Sequence, residues 1–208
     1  MFLRLFLIFI TLSGSIYGQS KEDVALNNEA VWLMDSGKYD DALVRLDKLK
    51  ASDENNHIYR YNRAVTLFNL KQYKAAIDEY KYLHQLLPEQ SEYLFQIGNA
   101  YEQIDSIEKA IEYYNRAISV DADHFIYFFK RGTLMLKREN LSEAIRDFTM
   151  ALDINPNHHN SFHNRAIAMF KSGNKTTACE DWCRAVRLGN KTSSLHIKQN
   201  CKSFACPL

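Results

Sequence analysis

From Asp23 onward the chain alternates apolar and polar positions in the three- and four-residue steps of a helix, in paired segments separated by short polar breaks. The pair is clearest between Phe125 and His158, FIYFFKRGTLMLKRENLSEAIRDFTMALDINPNH, where two amphipathic stretches meet at Glu139-Asn140 and are closed by Pro156. The arrangement recurs every 34 residues. Small residues fall at Ala30, Ala64, Gly98, Gly132 and Ala166, and again at Ala42, Ala76, Ala110, Ala144 and Ala178. Bulky residues follow four positions after the second series, at Leu46, Tyr80, Tyr114, Phe148 and Trp182, and a further series runs through Leu49, Leu83, Ala117, Ala151 and Ala185. The register holds from Asp23 to Thr192 without insertion or deletion and defines five units: 23–56, 57–90, 91–124, 125–158 and 159–192.

A period of this length marks a solenoid, because one helical hairpin cannot bury its apolar face and must stack on copies of itself. Small residues let the two helices of a hairpin approach, and bulky ones fill the space between successive pairs. The expected fold class is therefore all-α, an α-solenoid of five helix-turn-helix units. Breaks carry the punctuation of such a fold. Ser36-Gly37-Lys38 and Ser172-Gly173-Asn174 place glycine where a helix ends left-handed, Leu70-Lys71-Gln72-Tyr73 and Ile104-Asp105-Ser106 form the second and third turns, and Ser106 is positioned to cap the helix after it. Pro88 and Pro156 stop the second helices of their units. After Thr192 a shorter, more polar amphipathic segment within 193–208 is expected to cap the last apolar face.

These columns of Gly/Ala, Tyr/Leu, Ala, aromatic and Pro residues resemble the tetratricopeptide repeat over about four fifths of the chain. The resemblance implies a right-handed superhelix and a protein-binding rather than catalytic role. The chain departs from the pattern at Glu54, Ala122 and Asn190, which stand where the closing proline would be, and at Arg63, Arg131 and Arg165, which replace a usual Leu. Softer joints after the first, third and fifth units are expected from these departures.

The first twenty residues, MFLRLFLIFITLSGSIYGQS, are of another kind: one basic residue, an apolar run Leu5–Leu12, then small and polar residues. This is the form of a secretory signal peptide over 1–18, followed by a short linker, 19–22. The apolar run is shorter than the roughly 20 residues that span a bilayer, and no Cys follows it to carry a lipid. Export to a periplasm or outside the cell is expected, with no membrane span once the peptide is removed. Removing Arg4 with it leaves 25 basic against 25 acidic residues, a balance that offers no electrostatic footprint for nucleic acid.

A stacked array of this kind curves, and the first helix of each pair lines its concave face. Mapped through the resemblance, one groove column is Asn28, Asn62, Gln96, Lys130 and Asn164, its neighbour is Asn27, Tyr61, Phe95, Phe129 and His163, and a third contains Asn99. Amides can bond a peptide backbone as donor and acceptor, and aromatic rings offer contact area at low entropic cost. The expected partner is a protein or peptide held on this ladder, with self-association as a rival use of the same surface. Members of the family that grip a chaperone's C-terminal carboxylate do so with a cationic pair. None of the three frames here supplies that pair; the third, Phe95, Asn99, Lys130, Asn160 and Asn164, offers a single lysine.

Four cysteines, Cys179, Cys183, Cys201 and Cys206, sit together at the end of the chain. In an oxidising compartment their even number points to disulfides, with Cys179–Cys201 preferred and Cys183–Cys206 beside it. A metal-binding or redox-active cluster, with His196 between the pairs, is the competing reading, although the usual two-residue Cys spacing is absent. No cofactor is expected. There is no Gly-rich phosphate loop, no G-x-S-x-G and no H-E-x-x-H, so no enzymatic motif competes with the binding reading.

Overall fold

The computed structural model describes residues 20–202 and Cys206. The expected signal peptide lies outside the described residues. Among those described there are eleven helices and no strand: α1 (Lys21–Asp35), α2 (Tyr39–Ser52), α3 (His57–Asn69), α4 (Tyr73–Leu86), α5 (Ser91–Gln103), α6 (Ile107–Val120), α7 (Phe125–Lys137), α8 (Leu141–Ile154), α9 (His159–Lys171), α10 (Lys175–Arg187) and α11 (Ser193–Asn200). Each odd helix packs on the even helix that follows it, and each even helix on the next odd one. This is an all-α solenoid of helical hairpins.

The small columns and the bulky one explain the closure of each hairpin. Leu46, Tyr80, Tyr114, Phe148 and Trp182 are all essentially buried, facing small residues that are themselves fully enclosed. At Gly98 the fit leaves no room for a methyl group: a Cβ there would lie 2.6 Å from Cε1 of Tyr114. That ring cannot withdraw freely, since its hydroxyl donates at 2.8 Å to both Asn99 Oδ1 and Glu102 Oε2.

The turns repeat as strictly as the core. Gly37, Lys71, Asp105, Glu139 and Gly173 hold φ of 73°, 62°, 56°, 61° and 93°, so one turn position in every unit is left-handed. Three units fill it with a residue that has a Cβ, at a cost of about 1–2 kcal/mol each. Ser106 precedes α6 but its side chain makes no capping bond, contrary to the sequence expectation.

Helices without a closing proline stop in the same register as those that have one. α2, α4, α6 and α8 end at Ser52, Leu86, Val120 and Ile154, a constant interval. In the first and third units an aspartate takes over, its carboxylate accepting from the amide two residues on: Asp53 from Asn55 at 3.3 Å and Asp121 from Asp123 at 2.9 Å. Asn190, buried at the fifth joint, accepts the Ser193 amide at 3.0 Å and donates to Asn160 at 3.1 Å. The softer joints expected at these places have no counterpart in the geometry.

The arginines that replace leucine also tighten the array. Arg131 forms a two-pronged pair with Asp147, at 2.8 and 2.6 Å, and reaches Asn115 of the preceding unit at 2.6 Å. Arg165 repeats this with Asp181, at 2.7 and 2.9 Å, and with Thr149 at 3.1 Å. Arg63 joins Asp47 behind it and Glu79 ahead of it, both at 2.7 Å. Glu79, 5% exposed, also receives Arg60 at 2.7 Å and Lys50 at 2.6 Å. Burial pushes its carboxyl up, but the bonds and charges of Lys50 and Arg60 outweigh that and hold it below the ordinary 4.5.

At the far end α11 lies across α10. Cys179 is bridged to Cys201 and Cys183 to Cys206, with Cα–Cα separations of 5.9 and 5.7 Å, so both pairs named from the sequence are the pairs observed. The His196 ring stacks on Trp182 at 4.9 Å.

Three outcomes are expected. Gly98→Ala destabilises the fold by about 1–3 kcal/mol in urea unfolding, because the added methyl group overpacks against Tyr114. Glu79→Gln leaves the buried Arg60 with only the exposed Glu54 as counter-ion, at 3.3 Å, and costs about 2–4 kcal/mol. Since the folded carboxyl is depressed, its stabilisation is present above pH 4.5 and lost as pH falls through the lower folded value, so the variant shows a flatter loss of Tm below pH 4.5. Reduction of both disulfides lowers stability by about 2–4 kcal/mol for each bridge, read as a fall in the urea midpoint with reductant present.

Candidate functional site

The first helices α1, α3, α5, α7 and α9 carry the groove columns, one residue of each column per unit. The structure brings these residues into one row but uses many of them to join units. Asn62 Nδ2 donates to Asn27 Oδ1 at 3.0 Å, across the first joint. Lys130 Nζ reaches Glu102 at 3.0 Å across the third, and Asn164 Nδ2 reaches Thr133 Oγ1 at 3.4 Å across the fourth. Within α5, Gln96 donates to Glu92 at 2.5 Å and Asn99 to Gln96 at 3.1 Å. Asn28, at the open end, is exposed. Each amide retains groups for a ligand, since a side-chain amide has two donors and an acceptor with two lone pairs.

The aromatic column is less available than its spacing implies. Phe95 is 7% exposed and lies between Tyr127 at 4.7 Å and Tyr114 at 5.6 Å, ring centre to ring centre. It belongs to the core, and its reading as a contact residue is corrected on that ground. The two flanking tyrosines approach it more closely than the equivalent pair approaches Tyr61, whose ring centres lie 6.2 Å away on both sides. Tyr61 is half-buried between Tyr80 and Tyr93, each at 6.2 Å, and burial, with Glu92 nearby, pushes its hydroxyl up to about 12. Phe129 is half-buried against Phe148 at 6.0 Å and the His158 ring at 4.7 Å. His163 is half-buried, its Nδ1 2.7 Å from Ser193 Oγ, and its ring lies 5.3 Å from His196. Desolvation first, then His196 and His159, hold it below the ordinary imidazole value. What faces the groove is thus a row of amides and one lysine, flanked by the edges of three rings.

Two acids stand among them that the sequence reading passed over. Glu92 is pushed up by burial, although Gln96 and Tyr127 bond its oxygens. Glu102 receives Tyr114 at 2.8 Å and Lys130 at 3.0 Å. A signal for Glu102 was present: the same column elsewhere holds Met34, Phe68, Leu136 and Phe170, so a charge there breaks an apolar series. Glu92 similarly shares its column with Val24, Ile58 and Ile126.

The cysteines are engaged with one another, so the bridged sulfurs are not thiolate ligands or free nucleophiles. Among the described residues no three His, Cys, Asp or Glu side chains converge as a metal site would require. None of the described helices is long and apolar enough to cross a membrane.

Comparison with known proteins bears on the fold. Residues 28–91 and 91–124 each match a family model described as tetratricopeptide repeat, and the second match is the third unit to the residue. No curated protein matches the sequence. Among solved structures, MamA superposes with a TM-score of 0.71 at 20% identity over 79% of this chain and 96% of its own. MamA from Desulfovibrio magneticus RS-1 gives 0.73 at 16% identity, over 81% and 96%. YrrB, described as a TPR protein with an unusual peptide-binding site, gives 0.68 at 20% identity, over 86% and 94%. At such identities the likeness is one of architecture. One family match coincides with the third unit and the other covers most of the first two, and the same helical hairpin continues through the fourth and fifth, so the chain is a tetratricopeptide repeat protein.

Proposed function

We propose that this protein is an exported, non-catalytic scaffold that holds a peptide or a segment of another protein along the row formed by α1, α3, α5, α7 and α9. The observation that carries the reading is the ladder of partly exposed hydrogen-bonding side chains, Asn28, Asn62, Gln96, Lys130 and Asn164, one to each unit. Successive rungs can bond successive stretches of an extended backbone, and the amides serve donors and acceptors alike. The peptide-binding site of YrrB, a structure of the same architecture, lends support. Export is supported by the signal-like form of residues 1–18 and by two bridged cysteine pairs, which an oxidising compartment maintains.

The ladder predicts a backbone-directed and sequence-tolerant grip, with the Tyr61 and Phe129 ring edges adding apolar contact. Selection of a random peptide library on the immobilised protein is expected to recover binders. Asn62→Ala with Lys130→Ala should weaken those binders about tenfold or more, with the circular dichroism spectrum unchanged. Failure to recover any peptide, or equal binding by the double variant, would remove the groove as the site.

A further inference from the structure

The two ends of the solenoid are finished differently. At the C-terminal end α11 covers α10 and is tied there by two disulfides. At the other end α1 presents to solvent the stripe that every later first helix presses on its predecessor. Position 32 shows this most clearly. Its equivalents Thr66, Ala100, Leu134 and Ala168 are all buried, whereas Trp32 is 60% exposed. Two turns earlier, Ala25 is exposed where Tyr59, Tyr93 and Tyr127 are buried. Asn28 and Glu29, both exposed, lie between them on the same stripe.

We propose that this stripe is a homodimer interface, in which α1 of one copy packs antiparallel on α1 of a second. The stripe is self-complementary, as a two-fold contact demands. A two-fold axis passing between Asn28 and Glu29 sets position 25 of one copy opposite position 32 of the other. Trp32 then seats on Ala25 of the second copy, the bulky ring over the smallest side chain of the stripe. The same axis sets Asn28 opposite the second copy's Glu29, so an amide N–H can donate to a carboxylate. Glu29 has an oxygen to give, because Arg45 approaches only its Oε1, at 3.0 Å. This happens at both ends of the pair at once. The head-to-tail alternative, which would build an open filament, is closed off because α11 occupies the other terminal face. The equivalent stripe of α3, α5, α7 and α9 is the one that packs on the second helix of the preceding unit, so its chemistry suits helix-on-helix contact.

Sedimentation velocity of the purified protein across a concentration series tests this. A reversible monomer–dimer equilibrium is expected, with a dissociation constant of roughly 10–100 µM, as suits a patch at the small end of protein interfaces. Tryptophan emission should shift to the blue with concentration, since Trp182 is already buried and Trp32 alone changes surroundings. Trp32→Ala should weaken the dimer about tenfold or more and abolish the shift. Ala25→Trp should do the same by filling the seat, and both variants should keep the wild-type circular dichroism. A monomer at every concentration overturns the proposal. So does a dimer that Trp32→Ala weakens and Ala25→Trp leaves intact, because Trp32 would then be seated elsewhere, in the groove of the second copy or on a different partner.

Discussion

A bulky side chain of the second helix, seated on a small residue sixteen positions earlier in the first, holds each hairpin of this protein shut. Tyr80, Tyr114, Phe148 and Trp182 are completely enclosed in this way, and their burial contributes about 1.5–3 kcal/mol apiece. The contact is local, yet it cannot make a unit self-sufficient. The outer faces of each pair remain apolar until a neighbour covers them, so cohesion passes from unit to unit along the chain. Everything at the ends follows from that dependence, including the small helix that is stapled over the last unit.

The same dependence shapes the concave wall. Side chains that would greet a ligand are also the nearest polar groups to the joints, and several are already engaged there. Asn62 with Asn27 and Lys130 with Glu102 each tie two units while facing the groove. A peptide lying on this wall exchanges bonds with groups that are partly satisfied, which favours modest affinity and adaptable recognition. Phe95 illustrates the competition between the two uses, its ring lost to the core because flanking tyrosines offer it more contact than solvent does.

Most of the architecture was legible in the sequence because a repeat gives each inference five chances. The columns of Ala30 and Leu46 and their equivalents located the helices, and the clustered cysteines located the cap and its pairing. Exposure within the groove was not legible. Column position sets the direction of a side chain, but how deeply it sinks depends on how closely neighbours from two other helices approach it, as at Phe95. The role of Arg131 and Arg165 was hidden for a related reason. Alone each is an arginine in a leucine column; only with Asp147 and Asp181, sixteen residues on, does it become a clamp. The Asx turns of Asp53 and Asp121 were likewise concealed by reading the missing proline as a missing stop.

The arginine clamps bear on how such an array can be lengthened or shortened. Arg131 reaches back to Asn115 and Arg165 reaches back to Thr149, so each draws on a hydrogen-bond acceptor in the unit before it. Excision of residues 125–158 would bring Arg165 to Asn115, a partner of the same chemistry, and the splice would heal. Loss of residues 57–90 would instead set Ile97 over Asp47 and strand a carboxylate beside an aliphatic chain. Unit four is a removable part, while unit two is bound to its place by the company its charges keep and unit five by its bridges to the cap.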